Sequence, residues 1–212
     1  KIPGAENKNE MHNIFKKCLK QLKLNKVEGL LIHNQNTWGN KNTKLFAENL
    51  IMTKKINHIG VSIYDQKFIP EDSLASIIQV PGNIFNYKLL TSKKLERFIN
   101  KGGEVHVRSV FIQGLILMSP NKIPDFFSKL VTPLEVFHTF CKKHDVHPIT
   151  LSTGCIFKLM PQCKLVIGID SVEQLDEIIN KANMQVSDSI INEALKIGKQ
   201  YSSSLWDPRN WS

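Results

Sequence analysis

Short apolar runs alternate along this chain with longer stretches of helical periodicity. Val27–His33 (VEGLLIH) is a run of strand length, too apolar to be half-exposed, as a strand covered on both faces should be. His58–Tyr64, Ile77–Pro81, Glu104–Val110 and Lys164–Ile169 repeat the signal, each rich in valine and isoleucine. Between them lie helical patterns. Ile14, Cys18, Leu19 and Leu22 recur at helical spacing within Lys8–Leu24, above a lysine-rich face. Thr43–Lys54, Ser92–Lys101, Pro133–His144, Thr150–Leu159, Ser171–Ala182 and Ser187–Tyr201 predict further helices, and a short one is expected from Pro70 with Glu71 and Asp72 in its first turn. Gly102-Gly103 supplies the glycine stop after Ser92–Lys101. Ser171 with Gln174 three residues on reads as a capping box.

Strand and helix in regular alternation predict an α/β fold with a parallel sheet. An open Rossmann-like sheet and a closed (β/α)8 barrel both satisfy it. No GxGxxG and no GxxxxGK[ST] follows any strand, which argues against the dinucleotide-fingerprint and P-loop versions. Polar residues do recur where strands end: His33, Ser62, Gln79, Arg108 and Ser109. Strand carboxyl ends are where barrel enzymes build their sites, so the pattern favours the barrel.

Composition narrows this picture. At 212 residues, 42% hydrophobic and 22% charged, the chain is globular, and one barrel-like domain over residues 1–212 is expected. The longest apolar stretch, around Val110–Met118, falls far short of the roughly 20 residues that span a bilayer, so no membrane partner is expected. The net charge is +9, but only Arg97, Arg108 and Arg209 are arginines, and no lysine run exceeds two. Base-reading surfaces lean on arginine, so nucleic acid is not expected as a partner. Oligomeric state has no signature in this sequence. Four cysteines (Cys18, Cys141, Cys155, Cys163) match no zinc or redox spacing and point to reduced thiols in a cytoplasmic protein. His138, Cys141, His144 and His147 recur every three residues. On a helix such steps fan the side chains over half a cylinder, so no metal site is expected. His58 and His106 sit at strand starts, and Trp38, Phe126 and Phe127 read as packing residues.

The strand ends resemble those of aldo/keto reductases. Leu30-Leu31-Ile32-His33, Ile59-Gly60-Val61-Ser62, Ile78-Gln79-Val80-Pro81, Arg108-Ser109-Val110-Phe111-Ile112-Gln113-Gly114-Leu115, Val166-Ile167-Gly168 with Ser171, Glu173, Gln174 and Leu175, and the ending Asp207-Pro208-Arg209-Asn210-Trp211 occur in that family's order and spacing. The resemblance implies a (β/α)8 barrel that moves a hydride between NADPH or NADH and a small-molecule carbonyl substrate. It implies that His33 orients the carbonyl, and that Ser62 and Gln79 hydrogen-bond the nicotinamide carboxamide. Arg108, where many members have tyrosine, stacks on the nicotinamide ring. The loop carrying Ser109, Phe111, Gln113 and Gly114 wraps the pyrophosphate, and Gly168, Asp170, Ser171 and Gln174 complete the cofactor site.

Three departures matter. Ile63 stands where many members have an asparagine. Asp170 and Gln174 stand where members that grip a 2′-phosphate place lysine and arginine, so NADH is not expected to be strongly disfavoured. Only five of eight strands are readable, and the absent ones are the first three. Lys1-Ile2-Pro3-Gly4 resembles the end of strand three, which matches Lys1 to the family's lysine. That lysine lowers the pKa of a proton-donating tyrosine, and neither this tyrosine nor the family's aspartate is matched here; Tyr64 and Tyr87 lack the context. The expectation is therefore a barrel incomplete at its N-terminus, part of a longer protein and inactive as these 212 residues alone. The alternative is a catalytically silent, cofactor-binding barrel with a regulatory or scaffolding role.

Overall fold

A computed structural model describes residues 1–4, 7–201 and 204–211. Among the described residues, five strands, β1 (Val27–Ile32), β2 (Ile56–Ser62), β3 (Ile77–Pro81), β4 (Glu104–Arg108) and β5 (Lys164–Val166), follow chain order. Helices α1 (Lys8–Leu22), α2 (Lys41–Met52), α3 (Lys93–Asn100), α4 (Ser128–Lys143), α5 (Pro148–Leu159), α6 (Val172–Ala182) and α7 (Asp188–Gln200) flank them, with an α-helix between each successive pair of strands except β2 and β3. This is an α/β fold with five of the eight strands of a (β/α)8 barrel. The chain divides into two compact units: residues 1–80 with 91–106, and residues 81–90 with 107–212.

In unit 1, β1, β2 and β3 pair in parallel, with Leu30 opposite Ile59, Ile32 opposite Val61, and Ser62 opposite Gln79. The pleat sends alternate side chains to opposite faces. Leu30, Ile32, Ile59, Val61 and Ile78 share one face and are buried, as are Met11 and Phe15 of α1 and Phe46 of α2, which packs against β2. Gly60 makes the β2–β3 approach close, since a Cβ there would lie 1.5 Å from the Ile77 carbonyl oxygen. Ile2 joins this sheet edge by a parallel bridge to Ile32, its N–H donating to Leu31 O at 3.0 Å and its carbonyl accepting from His33 N at 2.8 Å.

Unit 2 is built from α4–α7, β5 and the end of β4. Its core stacks Phe85 on Trp206 at 4.1 Å, with Phe137 edge-on to Phe85. A Cβ on Gly198 of α7 would lie 2.0 Å from Ile84 O, so glycine sets that contact. Tyr87 donates its hydroxyl to Leu195 O at 2.9 Å, which fastens residues 81–90 to α7.

Two element expectations are corrected. No helix follows Pro70: Asp72 Oδ1 instead accepts from the N–H groups of Leu74 and Ala75, a side-chain turn that takes the place of helical bonding. Helix α4 starts at Ser128 rather than Pro133, so that proline lies inside the helix and removes the bond that would reach Lys129 O. The stop at α3 is as expected: Gly102 has φ 89°, and Gly103 N–H donates to Phe98 O.

Candidate functional site

Unit 1 places three of the expected residues on one row. Ile32 pairs with Val61 and Ser62 with Gln79, so His33, the residue after Ile32, lies at the same strand end as Ser62, the residue after Val61. The three side chains therefore leave the same sheet face at the carboxyl ends of neighbouring strands, opposite the helix-covered face. Lys1 stands in phase with Leu31 through the Ile2–Ile32 bridge, hence on the same face as His33. His33 and Lys1 are exposed, whereas Ser62 and Gln79 are 1% and 4% exposed. Ser62 Oγ and Gln79 Oε1 are buried without a hydrogen-bond partner among the described residues. Such atoms normally find one, because burying a polar group unpaired costs about 1–3 kcal/mol. Strand pairing fixes both in place.

Unit 2 contributes a cavity of about 640 Å3. Ser109, Phe111, Gln113, Gly114, Gly168, Asp170 and Gln174 line it, all of them expected cofactor residues. Arg108 and Ser171 do not line it. Arg108 closes β4, and Ser171 caps α6 by accepting from Gln174 N at 3.2 Å. Gln174 departs slightly from a capping box: its Oε1 accepts from Asp170 N at 2.9 Å, one residue before the cap. Leu117, Met118, Ile149, Glu177 and Ile178 also line the cavity and were not expected. Helical spacing carried a signal for Glu177, which lies three residues beyond Gln174 on α6.

The loop forming one wall is held in an unusual backbone. Ser109, Ile112, Gln113 and Gly114 all have positive φ (63°, 52°, 54° and 89°), a costly conformation for a β-branched isoleucine. Ile112 N to Ser109 O (3.1 Å) and Gly114 N to Phe111 O (2.9 Å) lock it, and Gly82 N to Arg108 O (2.9 Å) anchors its start. Phe111, at φ −98° and ψ 11°, followed by positive φ is the backbone sequence of an anion-binding nest.

His147 caps α5, its Nδ1 accepting from Ile149 N at 3.3 Å. Among the described residues no group of three or more His, Cys, Asp or Glu side chains is placed to hold a metal ion. Burial pushes the thiols of Cys141 and Cys155 up to about 12 and that of Cys163 up to about 11. Trp38 is buried and donates its indole N–H to Asp72, beneath Lys44. Among the described residues no helix is long and apolar enough to cross a membrane.

Comparison with known proteins settles the family. The aldo/keto reductase family profile matches residues 2–198. This chain belongs to the aldo/keto reductase family. The family is one of oxidoreductases, so the row and the cavity belong to an oxidoreductase-family scaffold. Solved aldo/keto reductase structures share the fold. An aldo-keto reductase from Bacillus halodurans in its holo form superposes with a TM-score of 0.73 at 15% identity, covering 94% of this chain and 70% of that one. A glycerol dehydrogenase from Gluconobacter oxydans gives 0.73 at 15% identity, over 91% and 64%. An aldose reductase from Giardia lamblia gives 0.73 at 12% identity, over 98% and 73%. Among curated protein sequences, none matches this reductase-family chain.

Proposed function

We propose that this chain carries the carbonyl-orienting and coenzyme-binding parts of an NAD(P)H-dependent carbonyl reductase. The observation that carries the reading is the pair of buried, unpartnered oxygens, Ser62 Oγ and Gln79 Oε1, one strand apart on a face that ends in His33. A nicotinamide carboxamide presents one acceptor and two donors, which suits a hydroxyl beside an amide oxygen. The unit 2 cavity lies within the usual range for small-molecule sites, about 300–1,000 Å3, and its 109–114 wall has the backbone order of an anion-binding nest. The residues present therefore fit the coenzyme.

When bound, the coenzyme supplies the hydride. Ser62 and Gln79 hold the carboxamide and so fix which ring face is presented. Arg108 supplies a planar guanidinium for stacking on the ring. Ser109, Phe111, Gln113 and Gly114 hold the diphosphate from one side, with Gly168, Asp170, Ser171 and Gln174 on the strand-to-helix turn. His33 donates a ring N–H to the substrate carbonyl oxygen, where negative charge builds as the carbon is reduced. Lys1, on the same face, lowers the pKa of a neighbouring proton donor by its positive charge. The substrate class is a small aldehyde, ketone or sugar-derived carbonyl. The family match runs through both units, so residues 1–212 are read as one domain of this family, and the four free cysteines fit a cytoplasmic setting.

The deciding experiment titrates the chain with NADH and NADPH and measures turnover of the protein as encoded on a panel of aldehydes and ketones. Ser62→Ala and Gln79→Ala should each weaken nicotinamide mononucleotide binding about tenfold, one lost hydrogen bond in a buried site. His33→Ala should leave coenzyme affinity unchanged and lower kcat on the order of a hundredfold. Wild-type turnover in His33→Ala removes the role given to His33. Coenzyme binding without turnover on any carbonyl favours the second reading, a silent coenzyme-binding barrel.

A further inference from the structure

The walls of the unit 2 cavity differ in character. One is the backbone of residues 109–114, whose positive φ values form the nest. The other carries the carboxylates of Asp170 and Glu177. Among the described residues, no lysine, arginine or histidine lines the cavity. His147 approaches Glu177 at 3.6 Å from outside the lining. Burial lowers the pKa of its imidazole, with Glu177 opposing and Lys181 assisting.

The start of α6 is occupied as well. Asp170 N–H is taken by Gln174 Oε1 and Gln174 N–H by Ser171 Oγ. The turn thus spends two donors on its own side chains. Of the two walls only the one built from residues 109–114 carries no carboxylate, so the phosphates of a ligand belong there, and the group left against Asp170 and Glu177 must be neutral and able to donate.

On the dinucleotide reading of this cavity, we propose that it takes a coenzyme whose adenosine ribose has a free 2′-hydroxyl, of the NADH kind, and selects against a 2′-phosphate. Ribose hydroxyls donate to carboxylates, which are acceptors only. A 2′-phosphate replaces that donor with an acceptor carrying about −1.5 to −2 charges. It faces two carboxylates without a cation among the lining residues. Asp170 and Glu177 are the specificity-determining residues.

Calorimetric titration of the chain, at fixed ionic strength, with 5′-AMP and with adenosine 2′,5′-bisphosphate isolates the 2′-phosphate. The expected result is at least tenfold tighter binding of 5′-AMP, and the same order for NADH over NADPH. The double variant Asp170→Asn/Glu177→Gln should tighten bisphosphate binding at least fivefold. Asp176→Asn, which removes an α6 charge outside the cavity lining, should leave the wild-type ratio in place. Equal or tighter bisphosphate binding by wild-type protein overturns this inference while the dinucleotide reading stands. A double variant with wild-type selectivity, or an Asp176→Asn variant that relaxes it equally, overturns the assignment to Asp170 and Glu177. Failure of both nucleotides and both dinucleotides to bind overturns the dinucleotide reading, and this inference with it.

Discussion

Gly60→Ala is a direct test of the strand packing that positions Ser62 and Gln79. A Cβ at residue 60 lies 1.5 Å from Ile77 O and 2.6 Å from Ile77 C, and real Cβ contacts do not fall below 3.0 Å. Rotamer changes give no relief because the obstacle is backbone. The strands must part by about 1.5 Å, or β2 must twist out of register. Ser76 N–Ile59 O (2.9 Å) and Ile63 N–Gln79 O (2.8 Å) flank this contact, and parting carries both beyond 4 Å, where little bonding remains. Two such bonds at about 1 kcal/mol each, with disturbed packing of Ile59, Val61 and Ile78, give a destabilisation of about 3–5 kcal/mol. For a chain of this size that is roughly 10 °C in Tm.

Thermal melts followed by circular dichroism read it against two companions. Gly29→Ala meets only the far end of the Ile77 side chain, at 2.9 Å, and should cost less than about 1.5 kcal/mol. Gly39→Ala meets nothing within 4 Å and should lie within about 0.5 kcal/mol of wild type. A Gly60→Ala protein within 1 kcal/mol of wild type would refute the reasoning, because it would show that β2 and β3 do not approach so closely.

Two further outcomes follow from charged and buried groups. Burial raises the Asp72 carboxyl, but hydrogen bonds from Lys44, Trp38 and Ala75 outweigh it and hold its pKa below the usual carboxylate range. Its contribution is thus complete above about pH 4 and lost as pH falls through that lowered value; Asp72→Asn should cost about 1 kcal/mol in urea unfolding at pH 7 and little at pH 2. Cys141, Cys155 and Cys163, with thiols raised to about 12, 12 and 11, should resist a disulfide reagent at pH 8 until the chain unfolds, while half-buried Cys18 reacts first; stoichiometric labelling of all four in native protein would contradict this.

The sequence by itself determined the alternation. Ile77–Pro81 is apolar because a buried strand must be, whereas β1 is exposed at Glu28 and Gly29, and Ser92 and Ser171 mark helix starts because a hydroxyl can accept from the N–H three residues on. It also singled out His33, Ser62 and Gln79, since polar residues closing apolar strands are few. Tertiary structure decided what those residues share. Parallel register, set by partners about thirty residues away in β1 and β2, pairs Ile32 with Val61 and so brings the next residues, His33 and Ser62, to one strand end. It likewise decided against the helix after Pro70, because Asp72 is claimed by Lys44 and Trp38 from far along the chain. The acidic character of the cavity was only half legible. Asp170 stood out by its place after a strand, but Glu177 looked like any solvated helix glutamate until α6 brought it to the same wall. Local propensity reaches a turn or two along a chain, and a site drawn from separate strands and helices depends on packing beyond that reach.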